Sequence, residues 1–165
     1  MALDSLDVLI PDLSLNYSSS DIQQLYDKFK SVILNANLSF KGLPLTFKMF
    51  LSSVSDFTQY PEAFVHLITR KGNIGKKRYF EVERANRLHW IKEVIEEYNI
   101  GNKETKYFTH NEFDETIRDY LWYDEGNYVV VLEINKNGYL LITGHCVDDR
   151  NKLQKRYEKF LNSGI

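Results

Sequence analysis

Two histidines and two arginines are the residues of this chain best suited to chemistry on a phosphate group. His66 lies inside an apolar run, and His145 lies near the end of a second one. Histidine exchanges a proton close to neutral pH. Arg84 and Arg87 are three residues apart, and guanidinium groups bind phosphate oxygens through paired hydrogen bonds. These residue types point to proton transfer beside a bound phosphate.

Each of these residues also has a plain structural explanation. An isolated histidine such as His66 in an apolar run is more often a hydrogen-bonded core residue than a catalyst. Arg84 shares the apolar side of its predicted helix, and a buried guanidinium needs an anionic partner. That partner is either an internal carboxylate such as Glu133 or a ligand phosphate. Trp90, three residues after Arg87, either stacks a base or packs in the core.

A polar pair on the last predicted strand is a further candidate. Alternation along residues 139–147 places Thr143 and His145 on one side with Leu141, and Cys146 on the other side. The Thr143 hydroxyl can donate a hydrogen bond to a phosphate oxygen, although threonine is also a common strand residue. The opposite placement of Cys146 argues against a Cys–His nucleophile pair.

The charge distribution singles out residues 70–92. This basic segment holds eight Lys or Arg against two Glu, whereas the chain as a whole carries −2 and residues 93–147 sum to −7. A basic island in an acidic chain predicts an anionic partner bound at one place. Lys76, Lys77 and Arg78 are the residues expected to steer a nucleic-acid backbone. The alternative is an ordinary solvated surface.

Motifs and composition disfavour several protein classes. The chain has no Walker loop, no Gly-rich dinucleotide turn and no His-Glu-x-x-His, and no two histidines lie at metal-site spacing. We therefore predict neither a metal nor a cofactor. Cys146 is the only cysteine, which fits a reducing compartment. No apolar run reaches the roughly 18–20 residues that span a bilayer, and the acidic N-terminus is unlike a signal peptide, so a cytoplasmic location is predicted.

Hydrophobic periodicity predicts one α+β domain, with three helices packed on an antiparallel sheet of about four to six strands. Residues 1–37 are expected to form an N-terminal helical segment and residues 38–165 a nuclease-like core. The predicted helices are 20–35, 79–98 and 148–162. The predicted strands lie in 38–50 (with a turn at Gly42-Leu43-Pro44), 64–69, 106–110, 117–123, 128–134 and 139–147, and Asn135–Gly138 joins the last two as a hairpin.

Three stretches together resemble a small bacterial and phage-borne family of uncharacterised proteins. They are Phe64-Val65-His66-Leu67-Ile68-Thr69, then Arg84-Ala85-Asn86-Arg87-Leu88-His89-Trp90-Ile91, and then Tyr128-Val129-Val130-Val131-Leu132 leading to Tyr139-Leu140-Leu141-Ile142-Thr143-Gly144-His145. They are similar to the patterns His-Leu-Ile, Arg-x-x-Arg-Ile-x-Trp-Ile and Tyr-x-Leu-x-Thr-Ala-Tyr. The family itself resembles the barnase–EndoU–colicin–RelE ribonuclease superfamily. The resemblance covers residues 40–160.

The resemblance implies a helical part on an antiparallel sheet and metal-independent cleavage of RNA. The site residues that it implies are His66, Arg84, Arg87, Trp90 and Thr143. Gly144-His145 stands where the pattern has Ala-Tyr, so His145 either replaces the tyrosine in acid–base work or marks drift after loss of activity. On this hypothesis His66 and His145 transfer protons in an order left open. The two arginines and Thr143 hold the phosphate, and Trp90 stacks a base or packs behind the site.

Two other functions remain open from the sequence. One is a non-catalytic module that holds RNA or an acidic protein on the basic segment. The other is an interaction protein whose basic segment pairs with its own acidic C-terminal half or with a second copy. RNA is the expected partner, and a cognate inhibitor protein is a second candidate, in keeping with a toxin-like or phage-associated role. The oligomeric state is not predicted.

Overall fold

The computed structural model describes Leu3, residues 6–73, Gly75 and residues 77–163, and within them the chain builds one large sheet and one small hairpin. The strands of the large sheet are β1 (Ser39–Phe40), β2 (Leu43–Thr46), β5 (Thr105–Asn111), β6 (Ile117–Tyr123), β7 (Tyr128–Asn135) and β8 (Gly138–Cys146), and those of the hairpin are β3 (Thr69–Lys71) and β4 (Arg78–Phe80). The sheet order is β1-β2-β8-β7-β6-β5.

The sheet is mixed, so the expected antiparallel sheet is wrong in one respect. Strand β2 runs parallel to β8, with Leu45 opposite Tyr139 and Thr46 opposite Leu140, while all other neighbours are antiparallel. Parallel pairing needs a long crossover between the two strands. The chain between Thr46 and Gly138 supplies this crossover. Because the two strands are so far apart in sequence, no local pattern could predict whether β2 runs parallel or antiparallel to β8.

The C-terminal strands confirm the sequence prediction to within about two residues. Strands β5 to β8 form a continuous antiparallel meander. The predicted hairpin is confirmed, but the pairing of Asn135 with Gly138 makes Lys136 and Asn137 the two-residue loop, and Gly138, which has a φ of 141°, is the residue after it. The early turn lies one residue before its predicted place, because Lys41 and Gly42 take the two positive φ angles, 51° and 80°, and Pro44 already pairs with Ser39.

Five α-helices accompany the strands in the described part of the chain. They are α1 (Ser19–Phe29), α2 (Glu62–Ile68), α3 (Val82–Ala85), α4 (Trp90–Asn99) and α5 (Arg150–Asn162). A capping box of Ser18 and Asp21 starts α1, and a π-helical turn, Lys30–Leu34, extends it over most of the predicted helix 20–35. The Asp149 side chain accepts from the Lys152 N–H and starts α5, which confirms the predicted closing helix.

The segment predicted as a strand over 64–69 is the helix α2. Phe64, Val65, Leu67 and Ile68 are all buried, so the helix is apolar around most of its circumference. A short run of this kind has no periodicity that separates a buried helix from a buried strand. Pro61 starts the helix, and the Thr69 hydroxyl donates to the Val65 carbonyl at its end. His66 therefore lies on a helix.

The helix predicted over 79–98 is divided into three pieces. Residues 78–80 form strand β4, which pairs Tyr79 with Arg70 and Phe80 with Thr69. One helical turn, α3, follows, and α4 begins only at Trp90. The four-residue spacing of Phe80 and Arg84 predicts one helical face, but the two buried residues belong to different elements, β4 and α3.

The sheet has a large core on one face and a small core on the other. Helices α1, α2 and α4 pack with β-strand residues such as Leu121, Val130 and Leu132 in the large core. On the opposite face, Leu153 of α5 packs on Phe108, Tyr120, Trp122, Val129 and Val131. The described helices include none that is long and apolar enough to cross a membrane.

An N-terminal stretch is tied to the turn between α3 and α4. The Asn86 side chain accepts from the Ile10 N–H at 2.7 Å and donates to the Ile10 carbonyl at 2.8 Å. The Trp90 indole N–H donates to the Asp7 carbonyl at 2.8 Å. Residues from the predicted N-terminal segment thus make hydrogen bonds to the predicted core.

Gly144 is the place where β8 comes closest to α4. A Cβ atom at this position would lie 2.4 Å from Ile91 Cγ1, 2.6 Å from Ile91 Cδ1 and 2.8 Å from the Tyr128 hydroxyl. We expect Gly144→Ala to lower the free energy of unfolding by about 1–3 kcal/mol, because overpacking a rigid core forces neighbours to move. Urea denaturation followed by circular dichroism measures the loss.

Ile91→Ala provides the control, because it removes both clashing carbon atoms. The double variant should lose less stability than the sum of the two single variants, since the clash with Ile91 no longer exists in it and only the close approach to the Tyr128 hydroxyl remains. Strictly additive losses would show that contact with Ile91 is not what excludes a side chain at Gly144.

Candidate functional site

Strand β8 is paired along its length on one edge only, and two helices contact it. It pairs with β7 along its length but with β2 only through Tyr139 and Leu140. Helices α2 and α3 both contact β8. As a result His66 and Arg84 lie close enough to His145 for their charges to act on one another. Three of the predicted site residues, from distant parts of the sequence, are brought together.

A β-bulge at Ile142 decides which side chains of β8 share a face. Leu132 is opposite Leu141, but the next residue of β7, Val131, is opposite Thr143, so Ile142 is the extra residue. Thr143 and His145 keep a common side, whereas Leu141 belongs to the other face and packs in the large core. The predicted grouping of Leu141 with Thr143 is therefore wrong, since simple alternation does not survive a bulge.

Thr143 and His145 line a cleft between the sheet and α5. Its volume is about 320 Å³. An apolar floor is formed by Val129, Val131, Ile142, Val147 and Leu153, and a charged and polar rim by Arg118, Tyr120, Asp148, Asp149, Lys152 and Arg156. We call this space the α5 cleft. An apolar floor with few convergent polar groups is typical of small-ligand sites.

The Thr143 hydroxyl is an unsatisfied polar group in this cleft. Its side chain is only 8% exposed, and its Oγ1 atom has no hydrogen-bond partner among the described residues. Leaving a buried hydroxyl without a partner costs about 1–3 kcal/mol. Because the Oγ1 atom is itself buried, a ligand oxygen bound in the α5 cleft would give this hydroxyl an acceptor only after the Thr143 side chain turns toward the cleft.

His145 is held in one tautomer. Its Nδ1 atom lies 2.8 Å from the Cys146 carbonyl oxygen. Because a carbonyl only accepts hydrogen bonds, the neutral ring carries its proton on Nδ1 and keeps a lone pair on Nε2. Burial and the Arg84 charge lower the pKa of His145, against the opposing effect of the Cys146 carbonyl. At neutral pH His145 is thus a proton acceptor.

His66 is also neutral, for a stronger electrostatic reason. Burial first, and then the charges of Arg78, Arg84 and Lys48, lower the pKa of His66 to about 3. His66 does not line the α5 cleft. In the free protein it is a neutral imidazole at pH 7, so it cannot act as an imidazolium acid, and a pKa this low also makes it a weak base.

Two guanidinium groups share one backbone carbonyl beside these histidines. Arg78 donates to the Thr69 carbonyl at 2.7 Å, and Arg84 donates to the same oxygen at 2.9 Å. Arg84 Nε lies 3.5 Å from Glu81 Oε2, near enough for an ion pair but without a hydrogen bond. Glu133, the partner expected from the sequence, instead pairs with Arg118 at 3.0 Å. That expectation is wrong because Glu133 lies on β7, near the end of β8 that is remote from His145.

The basic hairpin is fastened to the rim of the α5 cleft. Arg70 on β3 binds both oxygens of Asp148, at 2.6 and 3.3 Å, and also Glu81 at 3.3 Å. Both oxygens of Asp148 are therefore bound by an arginine that does not line the cleft. Asp149 is engaged as the N-cap of α5. Neither carboxylate balances Lys152, whose ammonium has no ion pair among the described residues.

Arg87 and Trp90 lie on the large-core face and point away from the cleft. Trp90 is 9% exposed, contacts the Tyr128 ring at 5.3 Å and donates its N–H to Asp7. The Arg87 guanidinium lies 5.4 Å from the Trp90 ring centre and 3.2 Å from Glu83. The buried indole has no free face for a base, so of the two roles considered for Trp90 the structure favours packing.

The lysines expected to steer a nucleic acid have different positions. Lys77 is exposed at the start of β4. Lys76 lies outside the described residues. Arg78 is half-buried, and its hydrogen bonds to Thr69 and to the His66 carbonyl commit it to holding the hairpin on α2.

The sequence analysis missed the cations that line the cleft. Arg118 belongs to β6, and Lys152 and Arg156 belong to α5. Lys152 and Arg156 are four residues apart and flank the buried Leu153, a spacing that puts both beside the side of α5 that faces the sheet. The spacing of Lys152 and Arg156 can be seen in the sequence, but both residues lie outside the basic segment 70–92. The described residues contain no group of three His, Cys, Asp or Glu side chains placed to hold a metal ion.

Comparison with known proteins returned no relative. The chain matches no protein-family model, no curated protein and no solved structure. The predicted membership of a ribonuclease superfamily therefore stays a prediction, and function has to be argued from the site itself.

The low pKa of His66 makes stability depend on pH. Below pH 6.5 the unfolded chain binds a proton on His66 that the folded chain does not bind until about pH 3. This group therefore lowers the free energy of unfolding as pH falls through that window, by about 1–3 kcal/mol at pH 4.5. His66→Asn should reduce the stability difference between pH 7 and pH 4.5 by this amount in urea titrations.

His110→Asn is the matched control on strand β5. The pKa of His110 is also lowered by burial, but Glu112 opposes the shift, so this variant should change the pH dependence less. An unchanged pH dependence in His66→Asn would mean that His66 is protonated in the folded protein.

Proposed function

We propose that this protein binds RNA with a phosphate group in the α5 cleft and cleaves it without a metal ion. The observation that carries the proposal is the buried Thr143 hydroxyl, which lacks a partner and lies beside His145 in a cleft that also holds unbalanced cations. A phosphate oxygen supplies what this hydroxyl lacks. The residue-pattern resemblance to a ribonuclease superfamily points to the same substrate.

Cleavage without metal uses the 2′-hydroxyl of RNA itself. His145 Nε2, which has the lone pair, takes the proton from the 2′-hydroxyl as its oxygen attacks the adjacent phosphorus. The bond from phosphorus to the 5′-oxygen breaks, which leaves a 2′,3′-cyclic phosphate on one product. The leaving 5′-oxygen needs a proton, and Lys152, an ammonium on the cleft rim, is the group that we assign to this step.

Charge on the phosphate rises during the attack, and the cleft has donors to stabilise it. The Thr143 hydroxyl, the Lys152 ammonium and the Arg156 guanidinium line the cleft together. Arg156 is held in place by a 3.1 Å hydrogen bond to the Tyr120 hydroxyl. Donors positioned before the reaction lower the cost of forming the pentacoordinate phosphate. Arg84 acts on His145 through its charge, which adds to the effect of burial in lowering the pKa of the imidazole.

A non-catalytic RNA-binding module is the second candidate. One observation favours it, namely that the pKa values of both His66 and His145 are lowered, so neither histidine carries a proton for a leaving group at pH 7. The cations of the α5 cleft and the basic hairpin are sufficient to hold a phosphate backbone without any proton transfer.

RNA cleavage by purified protein in the presence of EDTA tests the catalytic proposal. Wild type should cut labelled total RNA to products that end in a 2′,3′-cyclic phosphate. His145→Ala should lose roughly 10²- to 10⁴-fold in rate, the usual contribution of a general base. Thr143→Val, which keeps the side-chain shape and removes the hydroxyl, should lose roughly 10-fold or more.

His110→Ala is the control, because it removes a half-buried histidine that does not line the α5 cleft. It should cut at the wild-type rate. Intact RNA with wild-type protein would end the catalytic proposal, and salt-dependent retention of that RNA would establish the binding module in its place. Equal cleavage by wild type and His145→Ala would remove His145 from the mechanism.

A further inference from the structure

We propose that a second cleft, between residues 53–57 and strand β4, holds an unpaired nucleobase of single-stranded RNA. This inference rests on the proposed function for the identity of the polymer. The cleft, which we call the Tyr79 cleft, has a volume of about 750 Å³. Neither its aromatic walls nor its polar groups take part in the α5 cleft.

Aromatic side chains line the Tyr79 cleft. Tyr79 is 50% exposed, although it is a large aromatic residue on a strongly basic hairpin. Tyr17 lies opposite, packed on Phe80 at 4.4 Å and on Phe57 at 5.9 Å between ring centres. A half-exposed ring of this kind is the usual platform on which proteins stack single-stranded bases.

The Tyr79 ring is held in place from behind by the hairpin backbone. At Gly72 a Cβ atom would lie 3.2 and 3.5 Å from two carbons of this ring, so the ring lies directly against the glycine. The Gly72 N–H donates to the Lys77 carbonyl at 2.8 Å and closes the hairpin there. A platform that is already fixed loses little side-chain entropy when a base stacks on it.

Charges in the Tyr79 cleft suit both parts of a nucleotide. Lys77 lies on the cleft wall and is exposed, which suits the sugar-phosphate backbone. Asp56 and Glu62 line the same cleft and present carboxylate oxygens, which accept hydrogen bonds. Bases with an exocyclic amino group, namely adenine, cytosine and guanine, can donate to such oxygens. Uracil has no amino group and should bind less well.

Neighbouring residues link the two clefts. Arg78 lines the Tyr79 cleft and donates to the His66 carbonyl at 3.4 Å, and His66 is close to His145, which lines the α5 cleft. A single strand passing these residues can place a base in one cleft and a phosphate in the other. A duplex cannot do so, because its bases are stacked and paired inside the helix.

Fluorescence anisotropy with labelled oligonucleotides of eight residues tests the inference. The protein carries His145→Ala and the buffer contains EDTA, so that the RNA stays intact. Oligocytidylate should bind more tightly than oligouridylate, and both more tightly than a duplex of the same length. Adding Tyr79→Ala should weaken oligocytidylate binding by roughly 5- to 100-fold, as expected for the loss of one stacked base.

Three further variants separate stacking from other effects. Tyr79→Phe keeps the ring and should bind within about twofold of the parent, whereas Phe113→Ala, which removes a fully exposed aromatic far along the chain, should change nothing. Asp56→Asn should reduce the preference for cytosine over uracil. Lys77→Ala should lower the slope of log affinity against log salt by about 1.

The outcomes for the Tyr79 cleft and for cleavage are distinguishable. Unchanged affinity in Tyr79→Ala, or equal binding of duplex and single strand, would overturn the inference even if wild type cleaves RNA. Binding that depends on Tyr79, by a wild-type protein that leaves RNA intact, would support the inference and reject the catalytic step.

Discussion

The site depends on how little of strand β8 is paired with β2. One edge is hydrogen-bonded to β7 throughout, but on the other edge β2 pairs only with Tyr139 and Leu140. Helices α2 and α3 contact the same strand. This arrangement carries His66 and Arg84 to His145.

The electrostatics around the histidines follow from the same packing. Arg78, Arg84 and Lys48 surround His66, while the nearby carboxylates, Glu81 and Asp148, are occupied by Arg70. Positive charge is therefore in excess where the helices meet the strand, and it adds to the effect of burial in keeping the histidines neutral. This region therefore presents neutral imidazoles beside guanidinium groups at neutral pH.

Local patterns in the sequence predicted the C-terminal part of the fold well. The alternating strands from Thr105 to Cys146 and the Asn-Gly hairpin signal are set by neighbours close in sequence, so they could be predicted. Helix α2 could not, because burial on nearly all sides removes its periodicity. The parallel pairing of β2 with β8 depends on contacts between residues more than 90 positions apart, and no local pattern encodes it.

The candidate site was predictable in its residue types more than in its geometry. Polar residues in apolar runs identified His66, Thr143 and His145, because burying such groups without a purpose is costly. The bulge at Ile142 reversed which neighbours they face, and a bulge leaves little trace in a sequence. For Trp90 the sequence left stacking on a base and packing in the core open, because an indole next to an arginine occurs in both settings. Lys152 and Arg156 were missed because net charge is highest in residues 70–92, whereas these two cations are only four residues apart on one helix with little excess charge around them.

The hydrogen bonds between the N-terminal stretch and the α3–α4 turn have a consequence for synthesis of the chain. Ile10 and Asn86 are 76 residues apart in sequence, and Asp7 and Trp90 are 83 apart. A nascent chain leaves the ribosome from its N-terminus, so residues 7–10 emerge long before their partners exist. They must remain undocked until Trp90 has cleared the exit tunnel, and this part of the large core forms late in translation. Slow codons that are read after Trp90 has left the tunnel would then prolong the stage at which docking is possible, whereas slow codons read before that point would only lengthen the wait.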